Sequence, residues 1–285
     1  MKVKLICSEY VKSITGKELE RPNVIDLYHE SFSSSGELLK DKYFRYYAPY
    51  NKEYMEDRIY DCYKKINENP AAFEQLCKFG LDDSVITSFV DYLSIRDDSV
   101  LTDININLFL GVGSCKGFAL PLQDKVYINI ALEKFFDVES PQKAISALII
   151  HELTHAIRCL VCRPHISRLG DVLIEEGLAC LVTEEVLNLT REDEGLIYPG
   201  EIEIESSAHY KKLSEIYVEN IYAKDEQLIK RFMNLGDAEY GIKPGLGYKI
   251  GVDFIKLYIR RKKSSAAEAF YVNNDEIIEL IGNEW

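Results

Sequence analysis

The chain has 285 residues, of which 47% are hydrophobic and 28% charged, a composition typical of a globular protein. Its formal net charge of −13 argues against nucleic acid or an anionic membrane surface as a partner. The seven cysteines lack the spacing of a disulfide framework, which favours reduced thiols and a cytoplasmic location. The apolar N-terminal stretch is too short for a signal peptide, and because the sequence has no run of 18 apolar residues, no membrane span is predicted.

The first hundred residues are predicted to form a mostly helical lobe. A short opening strand is predicted at residues 2–7. Helices are predicted around residues 54–63, at 71–79 and at 85–93, where apolar side chains recur at helical spacing. No catalytic motif falls in this region, so it is interpreted as a helical lobe only.

The pattern changes after residue 100, where apolar and polar side chains alternate. This alternation predicts a half-buried strand at residues 104–110 and a second strand at 125–130. The glycine-containing segment 111–117 is predicted to be a turn, and it is not a phosphate-binding loop because no Gly-Lys-Ser/Thr follows it. The two strands are predicted to form a hairpin or small sheet directly before the next helix.

One long helix is predicted from Ser140 to Cys162. Ser140 is a suitable N-cap, Pro141 suits the first helical position, and Arg163-Pro164 ends the helix. Residues three or four apart predict a buried apolar stripe: Ile145, Ile149, Leu153, Ala156 and Leu160. Cys159 and Cys162 form a Cys-x-x-Cys pair inside this helix, and without a second pair they are interpreted as packing residues.

The same helix contains the sequence His-Glu-Leu-Thr-His at residues 151–155. Because His151 and His155 are four residues apart, they project from one side of the helix and can hold one metal ion together. Glu152 follows the first histidine, so its carboxylate can lie beside the metal without binding it, as a general base that acts on a metal-activated water. The alternative is an amphipathic helix with two histidines on its surface.

A second helix is predicted from Asp171, as its N-cap, to about Leu187, and it contains two adjacent acids. Glu175 and Glu176 point about 100° apart around the helix, so they cannot both face one metal ion. Catalytic zinc takes three protein ligands and leaves the fourth position to water. Two histidines and one glutamate satisfy that requirement.

The C-terminal third is predicted to be largely helical. An acidic surface loop is predicted at residues 192–205, with Pro199-Gly200 as a turn. Two helices are predicted at 208–235, another at 245–260, and two short helices at 266–281.

Three segments together resemble a known group of enzymes. The motif at 151–155, followed after 20 residues by Glu-Gly-Leu-Ala at 176–179, resembles the gluzincin pattern of zinc peptidases. The chain is more similar to the bacterial family of predicted zinc-dependent proteases of the YjaZ type. That similarity lies in the glycine-containing strand region 111–130, the Ile-x-Glu-Gly-Leu-Ala sequence at 174–179 and the Gly-Tyr-x-Ile-Gly sequence at 247–251.

This resemblance implies a role for each candidate site residue. His151, His155 and Glu176, rather than Glu175, would bind Zn²⁺. Glu152 would be the general base, and Tyr248 would stabilise the oxyanion. Independently of the resemblance, His209 is the alternative donor.

The sequence departs from the gluzincin pattern at one position. In thermolysin-like members an acid one turn beyond the third ligand orients a histidine, and the equivalent position here is Cys180. Thr183 and Glu184 are the nearest residues that could replace that acid.

The fold class that these observations predict is α+β and mainly helical. We expect a zincin-like metalloprotease with a small β-sheet beside the active-site helix and helical lobes on either side. Three regions are expected: an N-terminal lobe at 1–100, the zincin-like catalytic core at 101–190 and a C-terminal helical lobe at 191–285.

The predicted function is zinc-dependent hydrolysis of peptide bonds in a peptide or protein substrate, without a nucleic-acid or membrane partner. Two alternatives stay open. The first is a non-catalytic module that binds peptides or proteins and retains the metalloprotease fold. The second is an all-helical scaffold protein in which the motif is a coincidence.

Overall fold

The computed structural model of the chain is mainly helical with one small sheet. It describes residues 2–5, 8–33, 41, 43–44, 51–80, 83–95, 99–111, 115–122, 125–198 and 206–284. By their internal contacts these residues form two compact units. Unit 1 comprises Met1–Asp83 and Leu101–Ile149, and unit 2 comprises Ser84–Val100 and Ile150–Trp285. The three-region division drawn from the sequence stays a prediction about domains.

The helices of the first hundred residues lie where apolar side chains recur at helical spacing. Their bounds are Ser8–Ile14 (α1), Arg21–Ser33 (α2), Lys52–Glu68 (α3), Pro70–Gly80 (α4), Asp83–Leu93 (α5) and Ser99–Thr102 (α6). The helices predicted around 54–63, at 71–79 and at 85–93 are therefore confirmed as α3, α4 and α5.

The strands and the helices after residue 100 follow in this order. The strands are Lys2–Leu5 (β1), Ile104–Phe109 (β2), Gly117–Leu122 (β3) and Lys125–Ala131 (β4). The main helices are Pro141–Val161 (α7), Leu169–Val186 (α8), Glu194–Ile197 (α9), Ser207–Glu219 (α10), Glu226–Lys230 (α11), Leu246–Lys262 (α12), Ala266–Ala269 (α13) and Asn274–Glu284 (α14). A π-helical turn, Arg231–Leu235, extends α11.

The described strands of unit 1 form a four-stranded sheet in the order β1-β2-β4-β3. β1 pairs with β2, and β2 with β4, in parallel, whereas β3 pairs with β4 antiparallel. Gly117 of β3 faces the first half of α7, because a Cβ placed there would lie 3.0 Å from the Leu148 side chain. The sheet therefore packs on the part of α7 that precedes Ile150 and belongs to the same unit.

Of the two arrangements predicted for these strands, the small sheet is confirmed and the hairpin is wrong, because β2 and β4 pair in parallel. Antiparallel strands can be joined by a tight turn, whereas parallel strands need a longer connection, and β3 forms part of that connection. The sequence interpretation missed β3 because Gly117 was placed in a turn and Pro121 weakens a strand pattern. Pro121 is exposed on an edge strand, where a residue without an N–H is tolerated.

Two predicted boundaries in unit 2 also differ from the structure. Asp171 is not the N-cap of α8; Arg168 is, and the Asp171 carboxylate accepts hydrogen bonds from the backbone N–H groups of Ser167 and Arg168 as part of a capping box. The segment at 192–205 is not simply a loop, since it contains a 3₁₀ turn and α9, while 199–205, including the predicted Pro199-Gly200 turn, lies outside the described residues.

The helix α7 has the bounds that its end signals predict. Pro141 is its first residue, and Arg163 follows its C-terminus in a left-handed conformation, with φ of 48°. Four members of the predicted apolar stripe are buried and the fifth, Leu160, is half-buried. Among the described residues, α7 alone has the length and composition that could cross a membrane, but 67% of its most apolar 18-residue stretch is buried inside the protein, so this is weak evidence for a span.

In unit 2, α8 and α12 approach so closely that their backbones touch. A Cβ on Gly177 would lie 2.3 Å from the carbonyl carbon of Gly251, and a Cβ on Gly251 would lie 2.1 Å from the carbonyl oxygen of Leu173. No rotation of a side chain relieves a clash with backbone atoms. These two glycines therefore allow α12 to pack directly on the helix that carries Glu176.

We expect Gly177→Ala to destabilise the protein. Alanine improves helix propensity by up to ~1 kcal/mol, but overpacking against the Gly251 backbone costs ~1–3 kcal/mol or more, so the net change is a loss. Thermal and denaturant unfolding of the purified variant give the measurement. Gly282→Ala, in the helix α14, is the matched control, because a Cβ at that position would meet only the Tyr222 hydroxyl, 3.6 Å away. Equal stability of the Gly177 and Gly282 variants would contradict the close packing.

Candidate metal centre

Two histidines on α7 point to the same place. His151 and His155 are one helical turn apart, and their ring centroids are 4.8 Å apart. The Nε2 atoms of the two rings are 3.2 Å apart, and both side chains are half-buried. The spacing predicted from the sequence therefore brings two imidazole nitrogens together on one side of the helix.

The helix α8 brings a carboxylate to the same two nitrogens. The Glu176 Oε2 atom lies 3.2 Å from His151 Nε2 and 3.5 Å from His155 Nε2. Among the described residues, His151, His155 and Glu176 are the group whose spacing could hold a metal ion. All three side chains belong to unit 2.

The spacing of these three atoms fits a tetrahedral zinc ion. Ligand atoms about 2.0–2.1 Å from zinc, at tetrahedral angles, lie ~3.3 Å from one another. The three measured separations of 3.2, 3.2 and 3.5 Å bracket that value. Two imidazoles and one carboxylate are a ligand set that zinc accepts, and three protein ligands leave a fourth position for water or substrate.

The electrostatics of the group favour a cation. Burial lowers the pKa of His155, but the carboxylates of Glu176, Glu152 and Glu175 together raise it by more, to about 9. Burial raises the pKa of Glu176, but the adjacent imidazoles hold it well below its ordinary value. At neutral pH the metal-free group is therefore a protonated His155 beside an ionised Glu176, and a bound metal ion would replace that proton.

Glu152 is the buried neighbour of the first histidine. Its exposure is 6%, and its negative charge contributes to the raised pKa values of both His155 and Tyr248. Glu152 does not belong to the group of three whose atoms could hold a metal. Its position suits a proton acceptor beside the ligands rather than a fourth ligand.

Tyr248 lies near the beginning of α12, where it is half-buried. Burial, followed by the negative charges of Glu176 and Glu152, raises the pKa of its phenol well above the ordinary value. The phenol therefore stays protonated at any physiological pH. Its hydroxyl donates a hydrogen bond to the Asn234 side-chain oxygen, 3.2 Å away, in the π-helical turn.

The structure separates the two adjacent acids of α8. Glu176 faces the imidazoles, whereas Glu175 is buried and binds the guanidinium of Arg158, which lies one turn beyond His155 on α7. Asn274 of α14 contacts both partners of this pair. The sequence interpretation assigned nothing to Arg158, although a charged residue in an otherwise apolar stretch of helix needs a buried partner.

The remaining candidates have other contacts. His209 lies in the first turn of α10, where its backbone N–H donates to the Ser206 hydroxyl, and it is not part of the group of three. The Thr183 hydroxyl donates to the Ala179 carbonyl, and Glu184 accepts from Lys256. Among the described residues neither Thr183 nor Glu184 bonds to His151 or His155, so a replacement for the acid that is absent at the fully buried Cys180 stays a prediction.

The described cysteines form no disulfide and make no metal cluster of their own. Cys159 and Cys162 are half-buried, and the Cys162 thiol donates to the Phe270 carbonyl oxygen, 3.7 Å away. Burial raises the pKa of both thiols. These contacts agree with the interpretation of the pair as packing residues.

Two imidazoles and a carboxylate from neighbouring helices define this protein as a candidate zinc metalloprotein. The chain belongs to the family described as predicted Zn-dependent protease (DUF2268), which matches residues 101–279. This match confirms the resemblance to the predicted zinc-dependent proteases and includes all five candidate site residues. No curated protein and no solved structure matches the chain.

We expect the purified protein to bind one zinc ion per chain and His155→Ala to lose it. Loss of a residue that only orients a ligand weakens metal binding by ~10–100-fold, and removal of a ligand itself should weaken zinc binding by more than that. Elemental analysis after dialysis, together with titration against a chromophoric chelator, measures this. His209→Ala should keep one zinc per chain, because that histidine lies outside the group. Wild-type protein that holds no zinc after reconstitution would contradict the site.

Proposed function

We propose that this protein is a zinc-dependent peptidase in which His151, His155 and Glu176 hold the metal. The observation that carries the proposal is the meeting of the three donor atoms at separations that suit one tetrahedral ion. Membership of a family of predicted zinc-dependent proteases supports it independently. We further propose that its substrates are peptides or proteins and, from the cysteine usage, that it acts in the cytoplasm.

Zinc bound at this site would act as a Lewis acid that polarises a peptide carbonyl and lowers the pKa of a water molecule towards neutrality. The protein has to supply a proton acceptor, a donor for the developing negative charge and a rigid frame. Each of these tasks has a candidate among the residues around the ligands.

Glu152 is proposed as the general base that accepts the proton of the attacking water and passes it to the leaving amine. Two features support this role. The carboxylate follows a ligand directly on α7, which holds it beside the group without making it a ligand. It is also buried, so bulk solvent has little access to the carboxylate.

Tyr248 is proposed to donate a hydrogen bond to the oxyanion that forms on the carbonyl. Its phenol keeps its proton because burial and the nearby carboxylates disfavour the phenolate. Its hydroxyl donates to the Asn234 side-chain oxygen, and in the proposed reaction that hydrogen bond would be exchanged for one to the oxyanion.

A non-catalytic binding module is the second candidate function. The observation that favours it is the absence of the acid that orients a histidine ligand in thermolysin-like enzymes. Cys180 occupies the position of that acid, and Thr183 and Glu184 bind other groups. Such a module would retain zinc or a peptide partner without turnover. Cleavage assays therefore decide between the two functions, and zinc content alone does not.

We expect Glu152→Gln to abolish most of the activity while zinc stays bound. The amide keeps the size of the side chain but cannot accept the proton, and general-base catalysis contributes about 10²–10⁴-fold. Turnover of a peptide library and zinc content are measured on the same preparation. Full activity of this variant would exclude Glu152 as the base, and the absence of cleavage by wild-type, zinc-loaded protein would favour the binding module.

We expect Tyr248→Phe to lower kcat by about 10–10³-fold with little change in KM, since loss of one donor to an oxyanion costs up to that range. Tyr258→Phe is the matched control. It lies on the same helix, but its hydroxyl donates to Glu276, so its kcat should match that of the wild type. An equal effect of the two substitutions on kcat would remove Tyr248 from the mechanism.

A further inference from the structure

We propose that Arg158 and Glu175 are positioning residues that hold α7 and α8 in the one register that brings Glu176 to the histidines. This inference rests on the proposed metal site. It adds a function to two residues that lie outside the group of three donors. We call the Arg158–Glu175 pair, with Asn274, the helix brace.

The brace is a dense set of buried hydrogen bonds. Arg158 Nε lies 3.1 and 3.0 Å from the two Glu175 carboxylate oxygens, and Arg158 Nη2 donates to Oε1 at 2.8 Å. Nη1 donates to the Phe270 carbonyl oxygen, and Nη2 also donates to Asn274 Oδ1 at 2.8 Å. Asn274 in turn donates to Glu175 Oε1 at 3.0 Å. The planar guanidinium thus has partners on two sides.

The position of the brace in the chain links it to the ligands. Arg158 follows the ligand His155 by three residues, and Glu175 directly precedes the ligand Glu176. Side chains of adjacent helical residues point about 100° apart, and adjacent residues are ~1.5 Å apart along the axis. When Glu175 is fixed to α7, both the rotation and the height of α8 are fixed, and Glu176 is thereby aimed at the imidazoles.

Stability alone is a poor explanation for such a pair. The Arg158 side chain is fully buried and that of Glu175 is 5% exposed, so both charges have lost their hydration. Apolar residues of similar volume often give equal or greater stability at such positions, whereas a paired charge can specify one arrangement over its neighbours. The fork of Arg158 fits a carboxylate in two places at once, which is the kind of contact that defines a register.

A third helix completes the arrangement. Asn274 is the first residue of α14, and Phe270 lies just before it, so Arg158 joins the ligand helices to the C-terminal segment. Arg168 offers a comparison within the same unit. It binds Asp171 of α8 and Asp275 of α14 but makes no ion pair with α7 among the described residues. Arg168 therefore joins two of these helices without fixing the ligand pair.

The test compares zinc affinity with fold stability in four variants of the full-length chain. Arg158→Lys keeps the charge but loses the fork, and Glu175→Gln keeps the shape but loses the charge. The double variant Arg158→Met with Glu175→Leu replaces the pair by apolar residues. Arg168→Met is the control. Zinc affinity is measured by chelator competition, the ligand geometry by the visible absorption of the Co²⁺-substituted protein, and stability by thermal unfolding without metal.

We expect both single variants to bind zinc at least ~10-fold more weakly than the wild type. That is the effect of removing a residue that orients a metal ligand. Their Co²⁺ absorption should lose intensity as the tetrahedral geometry is lost. The double variant should remain folded but, like the single variants, should bind zinc more weakly than the wild type. Arg168→Met should lose stability but keep the wild-type zinc affinity and Co²⁺ spectrum.

Three results would overturn the brace. They are wild-type zinc affinity and Co²⁺ spectra in the single variants, an unfolded double variant, or a loss of zinc affinity in Arg168→Met that equals the loss in Arg158→Lys. The first removes the positioning role, and the other two make the pair an ordinary contributor to stability. Absence of zinc from the wild-type protein is a different result, because it removes the proposed function itself.

Discussion

Three donor atoms from two helices have to meet within about 3.3 Å of one another to hold a tetrahedral ion, and the packing of unit 2 serves this requirement. Two of the atoms come from one rigid helix, so their spacing is a local property of α7. The third comes from α8, and its place depends on how α8 lies against its neighbours. The contact through Gly177 and Gly251 fixes α8 against α12, while the buried Arg158–Glu175 pair fixes it against α7.

These two kinds of contact act differently. The glycine contact is a matter of volume, because it excludes any larger residue but has little directional preference. The ion pair is directional, since the guanidinium accepts the carboxylate in few orientations. The glycine contact determines the distance between α8 and α12, and the ion pair determines the rotation of α8 relative to α7. A catalytic geometry needs both quantities, because an error of one residue in register turns a ligand by about 100°.

Much of this arrangement could be predicted from the sequence, where the signals are local. Helical periodicity predicted α3, α4, α5 and α7 closely, because the burial of a helix face leaves a pattern within one turn. The His151–His155 pair was legible for the same reason. The choice between Glu175 and Glu176 was not, since the residues alone allowed either, and only the resemblance to a family preferred the second.

Contacts between distant parts of the chain left no such pattern. Arg158 and Asn274 are 116 residues apart, and Tyr248 meets Asn234 through a π-helical turn that periodicity does not predict. The strand β3 was missed because a glycine and a proline suggested a turn, whereas pairing at a sheet edge accommodates both. Likewise, Asp171 seemed a natural N-cap, but the N-cap of α8 is Arg168, three residues earlier, and Asp171 is the third helical residue, whose carboxylate completes the capping box.

The three proposed ligands keep between 16% and 22% of their side-chain exposure, so the centre opens to solvent. An ion at such a place can enter and leave while the surrounding helices stay folded, unlike structural zinc, whose release accompanies unfolding. Occupancy would then follow the free zinc concentration in the medium, and the fraction of loaded molecules would change reversibly with it. In such a protein, metal supply would control the amount of working enzyme without synthesis or degradation of the chain.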